Sequence, residues 1–71
     1  MKQIVANMAG TVINVLVNEG DEVQGGADVV MLESMKMEVP VAAEASGKVT
    51  AIKVNVGDFV NEGDVLIELE G

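Results

Sequence analysis

The chain has 71 residues, with twelve acidic side chains against four basic ones and a net charge of −8. It has no cysteine and no histidine, which removes disulfides, thiolate chemistry, the commonest general base and the commonest metal ligand. All four basic residues are lysines and Phe59 is the sole aromatic. That composition excludes a base-stacking platform and argues against a basic phosphate-binding face, so nucleic acid is not an expected partner.

Hydrophobic residues make up 49% of the sequence, too many for a disordered acidic tail. Valine leads them, and β-branched residues favour pleated strands. No apolar run approaches the roughly 20 residues needed to cross a bilayer, and no membrane contact is expected. Lys2 is followed by no continuous apolar segment of the secretory kind. The expectation is a soluble, cytoplasmic, all-β domain with a thin core, since a chain near this length buries only about 60% of its unfolded surface.

In chain order, strands are expected at 2–8, 11–18, 28–33, 38–43, 48–56 and 64–70, with short pieces around Val23 and Val60. Val39, Val41 and Ala43 alternate with Glu38, Pro40 and Ala42, and Ile67 and Leu69 with Glu68 and Glu70, the period of half-buried strands. Val49 and Ala51 sit on one parity, while Ile52, Val54 and Val56 sit on the other. That break predicts a β-bulge or a strand passing between sheets. Gly20-Asp21, Gly57-Asp58, Gly25-Gly26 and Gly63-Asp64 mark turns. Pro40 has no N–H to donate and suits an edge strand. No window carries a sustained helical stripe between capping signals.

The chain also repeats. Residues 1–34 align without a gap on 38–71, at an offset of 37. Gly10, Val12, Val17, Asn18, Gly20, Asp21, Val23, Gly26, Leu32 and Glu33 fall on Gly47, Val49, Val54, Asn55, Gly57, Asp58, Val60, Gly63, Leu69 and Glu70. Ala6 also matches Ala43, and Ile4, Val15 and Val30 face Val41, Ile52 and Ile67. Two such halves pack most simply around a pseudo-two-fold axis. The residues left over are Met35, Lys36 and Met37, at the expected tip of a 28–33/38–43 hairpin. By the same symmetry 65–70 should pair with 1–6, placing both chain ends opposite the tip.

Lys2, Lys48 and Lys53 lie on expected strands and read as solvated surface. Lys36 is different, because two ordered strands hold it out and two methionines flank it. Met35 and Met37 could fold inward to fill a core short of aromatics, or offer a soft, polarizable surface to a partner. Their place at the centre of a repeat, framed by Glu33 and Glu38, favours the second. A lysine amine is protonated at neutral pH unless burial or nearby cations prevent it. Its charged neighbours in sequence, Glu33 and Glu38, are acids and supply neither. Lys36 is therefore no self-activated nucleophile, and it suits modification by a separate enzyme.

The segment Glu33-Ser34-Met35-Lys36-Met37-Glu38 resembles the biotin attachment motif of biotin carboxyl carrier domains, usually Glu-Ala-Met-Lys-Met. Gly10-Thr11-Val12, Gly20-Asp21-x-Val23, Ala45-Ser46-Gly47-Lys48-Val49, Gly57-Asp58-x-Val60 and Gly63-Asp64-x-Leu66 extend the resemblance along nearly the whole chain. It implies a flattened barrel of two four-stranded antiparallel sheets, a barrel-sandwich hybrid. It implies that a biotin protein ligase joins biotin to the Lys36 amine, with Met35, Met37, Glu33, Ser34 and Glu38 recognised by the ligase. It further implies a non-catalytic swinging arm that carries a carboxyl group between biotin carboxylase and carboxyltransferase sites. Ser34 stands where alanine is usual, the segment Ala6-Asn7-Met8-Ala9-Gly10 lacks the family's frequent prolines, and no protruding thumb segment follows Val23. The thumbless form resembles carriers of other acyl-CoA carboxylases and of oxaloacetate decarboxylases, and most of all the small stand-alone biotin/lipoyl attachment proteins.

Lipoyl domains share the expected fold and tip lysine, usually within Asp-Lys-Ala, so a lipoyl ligase and lipoate, or modification by both groups, form one alternative. A cofactor-free β-barrel interaction module, with an incidental lysine, is another. Asn18, Glu19 and Asp21 lack the spacing of a calcium loop and read as turn residues.

Overall fold

The repeated turns set the frame. In the computed structural model, which describes residues 2–70, the Asp21 carboxylate accepts the Asn18 N–H at 2.8 Å and the Asp58 carboxylate accepts the Asn55 N–H at 2.8 Å. Gly20 and Gly57 follow at φ +92° and +100°, values that only glycine adopts without strain. Asp64 makes the same 2.8 Å contact with the Asn61 N–H.

Eight strands lie among the described residues: β1 (Lys2–Val5), β2 (Gly10–Val15), β3 (Glu22–Val23), β4 (Asp28–Ser34), β5 (Met37–Ala42), β6 (Gly47–Ile52), β7 (Phe59–Val60) and β8 (Val65–Glu70). They form two antiparallel four-stranded sheets, ordered β1-β8-β6-β3 and β5-β4-β2-β7. An offset of 37 converts one sheet into the other. Thr11 opposite Glu33 becomes Lys48 opposite Glu70, and Gly10 opposite Val60 matches Val23 opposite Gly47. The bonds that extend the short strands repeat likewise: Val12 N–H to the Asp58 carbonyl, just before β7, and Val49 N–H to the Asp21 carbonyl, just before β3, are both 2.8 Å.

The broken parity in the long strands is a bulge in each half. Register shifts between Val12 and Asn14, and between Val49 and Ala51. Strands β1, β2 and β6 are shorter than the expected 2–8, 11–18 and 48–56, because just beyond each of them the ladder ends in isolated bonds to the segment of the strand it already pairs with. Ala6 donates to the Asp64 carbonyl, Leu16 to Val29 and Lys53 to Leu66, each at 2.8 Å. Val56, expected in phase with Val54, is instead exposed in the turn before Gly57.

The inward residues of both sheets make one core, with Val12, Val29, Val30, Leu32, Val49, Leu66, Ile67 and Leu69 fully buried and no buried polar residue among the described residues. Pro40 lies on the edge strand β5, opposite Met31. The molecule measures 33 × 19 × 18 Å. Lys2 pairs with Leu69, so the chain ends meet in the sheet that does not carry Lys36; Met1 and Gly71 lie outside the described residues. Four residues link Val5 to Gly10 beside the tip, and four link Ala42 to Gly47 at the other extreme. The Lys2–Glu70 end is thus the one remote from Lys36.

Candidate functional site

Strands β4 and β5 carry the candidate lysine. They pair in register from Met31–Pro40 through Leu32–Val39 and Glu33–Glu38 to Ser34–Met37. Leu32 and Val41 anchor the hairpin in the core. The tip is therefore two residues, Met35 and Lys36. The expected three-residue tip at 35–37 is corrected, since Met37 is the first residue of β5. Met35 and Lys36 have φ of 53° and 66°, the left-handed pair that a tight type I′ hairpin turn demands. Glycine, asparagine and aspartate usually fill such positions, because a β-carbon costs about 1–2 kcal/mol there. The hairpin stores that strain while presenting two long side chains at its apex.

Met35 is 92% exposed and Met37 64% exposed, so neither folds into the core. Lys36 is exposed as well, and among the described residues its amine has no hydrogen bond or ion pair. Lys53, by contrast, lies 3.9 Å from Glu68, and Lys2 donates to the Ser46 carbonyl at 3.1 Å. Glu33 and Glu38 face each other across the hairpin, both exposed; like charges placed so are mildly destabilising and frame the tip with negative potential. Ser34 is half-buried at the end of β4. A shallow depression of about 430 Å³ runs beside the tip, lined by residues that include Thr11, Ser34, Met35, Lys36 and Phe59. The site can do little chemistry alone, for it contains one free amine and no acid or base positioned against it.

Gly10 packs directly under this region. A β-carbon there would lie 2.8 Å from the Glu33 carbonyl oxygen. We expect Gly10→Ala to cost about 1–3 kcal/mol in thermal unfolding, with loss of order at the base of the hairpin in amide exchange. Gly47→Ala, 2.9 Å from the Glu70 carbonyl, should cost as much while leaving the tip ordered. The exposed sulfurs give a second expectation. Peroxide should oxidise Met35 and Met37 before Met8 and Met31, which are partly buried, as read by peptide mass mapping.

Sequence reading missed Phe59 as a tip residue. It is 65% exposed and stands opposite Thr11, itself opposite Glu33. Only the pairing of β2 with β7 brings it there, although its being the one aromatic was a signal in plain view.

The sequence profile of the biotin/lipoyl family, described as biotin-requiring enzyme, matches residues 2–69. The chain belongs to this family. It is 55% identical over 62 residues to the biotin/lipoyl attachment protein of Bacillus subtilis, covering 87% of this chain and 85% of that protein. It is 47% identical over 64 residues to the biotin carboxyl carrier protein of Streptococcus mutans, covering 90% of this chain and 49% of that one. Among solved structures, the urea carboxylase of Kluyveromyces lactis superposes with a TM-score of 0.90 at 32% identity, over 97% of this chain and 6% of that chain. The two-sheet architecture is thus that of a domain embedded in a large carboxylase as well as that of a small separate protein.

Proposed function

We infer that the chain is a biotin carboxyl carrier and that Lys36 is its attachment residue. The observation that carries the assignment of the lysine is its place: an unpartnered amine at the apex of a two-residue turn, exposed between two exposed methionines. Membership of the family, and the carriers and carboxylase among its relatives, support the cofactor. The residues fit a covalently held group. The amine is accessible and its hairpin is anchored by buried Leu32 and Val41.

A biotin protein ligase would supply what the site lacks. Lys36 would supply the amine nitrogen, which would take the acyl carbon of biotinyl-adenylate into an amide bond. The bond from that carbon to the phosphate oxygen would break, with AMP leaving and the amine proton passing to solvent. Met35 and Met37 offer apolar contacts to the ligase, Glu33 and Glu38 set the charge around them, and Ser34 leaves room beside the tip. Once bound, biotin supplies the ureido nitrogen that accepts and releases a carboxyl group. The chain holds the tether and contributes no bond-making group. A tethered arm turns each encounter with a biotin carboxylase or a carboxyltransferase into a local event at high effective concentration. The terminal end, remote from Lys36, leaves that arm unobstructed.

The name of the Bacillus subtilis relative covers lipoyl attachment too, so lipoate is the second reading. Intact-mass analysis after co-expression with a biotin ligase, and separately with a lipoyl ligase, distinguishes them. One biotinyl group mapped to Lys36 is the expected product. Incorporation of lipoate alone would replace the reading.

A further inference from the structure

The pseudo-two-fold axis gives the barrel two ends built on one backbone plan. At the tip end, Thr11 stands between Glu33 and Phe59. At the far end, Lys48 stands between Glu70 and Glu22 in the same register. Each end has a shallow depression, one beside Phe59 and Lys36 and one beside Glu22 and Lys48. A partner that must choose the correct end meets the same backbone twice. It can discriminate only by the residues that break the symmetry. The tip turn itself is one such difference. The exchange of Phe59 for Glu22 and of Thr11 for Lys48 is another.

Phe59 is also in the wrong place for a structural residue. The chain has a thin core and a single aromatic, yet that ring is 65% exposed while its neighbour Val60 is 3% exposed. Burying such a ring on a partner removes water from a large apolar surface. Two strand spacings separate Phe59 from Glu33, about 10 Å. An ordinary interface covers roughly 800 Å² per partner, a patch about 30 Å across. An enzyme that encloses the Lys36 amine with a patch of that size covers Phe59 as well.

We propose that Phe59, with Thr11 beside it, is an anchor by which the biotin-attaching ligase recognises the Lys36 end of the barrel. The inference rests on the assignment of Lys36 above. The ligase surface that fits is an apolar socket with a basic rim, complementary to the ring, to Glu33 and Glu38, and to a chain of net charge −8. Phe59 acts in docking and has no part in the acyl transfer.

The test is steady-state ligation with purified ligase, biotin and ATP, varying the unmodified carrier. We expect Phe59→Ala to raise KM for the carrier about tenfold with kcat unchanged, the pattern of an interaction made equally in ground and transition states. Phe59→Glu installs the far-end residue, which the same backbone already accepts at Glu22. It should raise KM further while melting like the parent chain. Phe59→Tyr should restore most of the affinity, and Glu22→Ala should leave KM unchanged. KM values for folded Phe59→Ala and Phe59→Glu within twofold of the parent overturn the proposal, as does a loss confined to kcat. A parent chain that accepts no biotin at all overturns the assignment of Lys36 instead.

Discussion

Lys36→Arg should abolish biotin incorporation completely while leaving the fold and its melting temperature within a degree or two. Arginine keeps the positive charge and the length, and it tolerates the exposed apex as lysine does. It offers no amine that can form the amide bond, because its guanidinium stays protonated in proteins. The three remaining lysines are poor substitutes: Lys2 is bonded to Ser46, Lys53 lies beside Glu68 and Lys48 sits on β6. None is at a hairpin apex. Intact mass of the purified variant, co-expressed with biotin ligase under excess biotin, reads the result directly. Biotin on Lys36→Arg would show that another lysine is the acceptor. Unchanged carboxylase activity with the unmodified variant would favour an interaction module over a carrier.

The second large effect runs against the usual direction, for the apex should be easy to stabilise. Met35 and Lys36 occupy a left-handed pair at φ 53° and 66°, where Asn-Gly is the preferred sequence. Both side chains are exposed, so replacing them forfeits no packing. Relieving a cost of about 1–2 kcal/mol at each position, Met35→Asn with Lys36→Gly should stabilise the domain by about 2 kcal/mol. For a domain of this size that is a rise of roughly 10 °C in Tm, measurable by calorimetry. Met35→Asn alone should give part of the gain and keep the lysine, but with slower ligation. An unchanged or lowered Tm in the double variant would mean that the apex carries no strain. Strain tends to persist where function requires it, and here it lies at the two residues that must be presented.

Much of this was legible in the residues. The offset of 37 foretold a paired architecture because a duplicated pattern of turn glycines, turn acids and inward valines can only fold the same way twice. The parity break at Val49 to Ile52 marked a bulge because side chains alternate strictly along a strand. The central lysine stood out because the repeat has no counterpart for it. Three features were not legible. Strand ends depended on where the ladder stops, and that is set by bonds between residues far apart in sequence, such as Ala6 to Asp64. The choice between methionines inside and outside depended on the turn. With Ser34 opposite Met37, only two residues remain to reverse the chain, and neither can reach the core. The neighbourhood of Phe59 depended on β7 pairing with β2 from the other half of the repeat.

The sequence by itself thus determined the duplicated all-β plan, the lack of histidine and cysteine and the singular lysine at its centre, all of which follow from local pattern and residue chemistry. Tertiary structure alone decided the strained two-residue apex, the exposure of Met35 and Met37, and the approach of Phe59 to the tip. The first two follow from the register of β4 on β5, which leaves two residues for the turn; the third follows from pairing between distant segments, which is set by the common core rather than by any stretch of neighbouring residues.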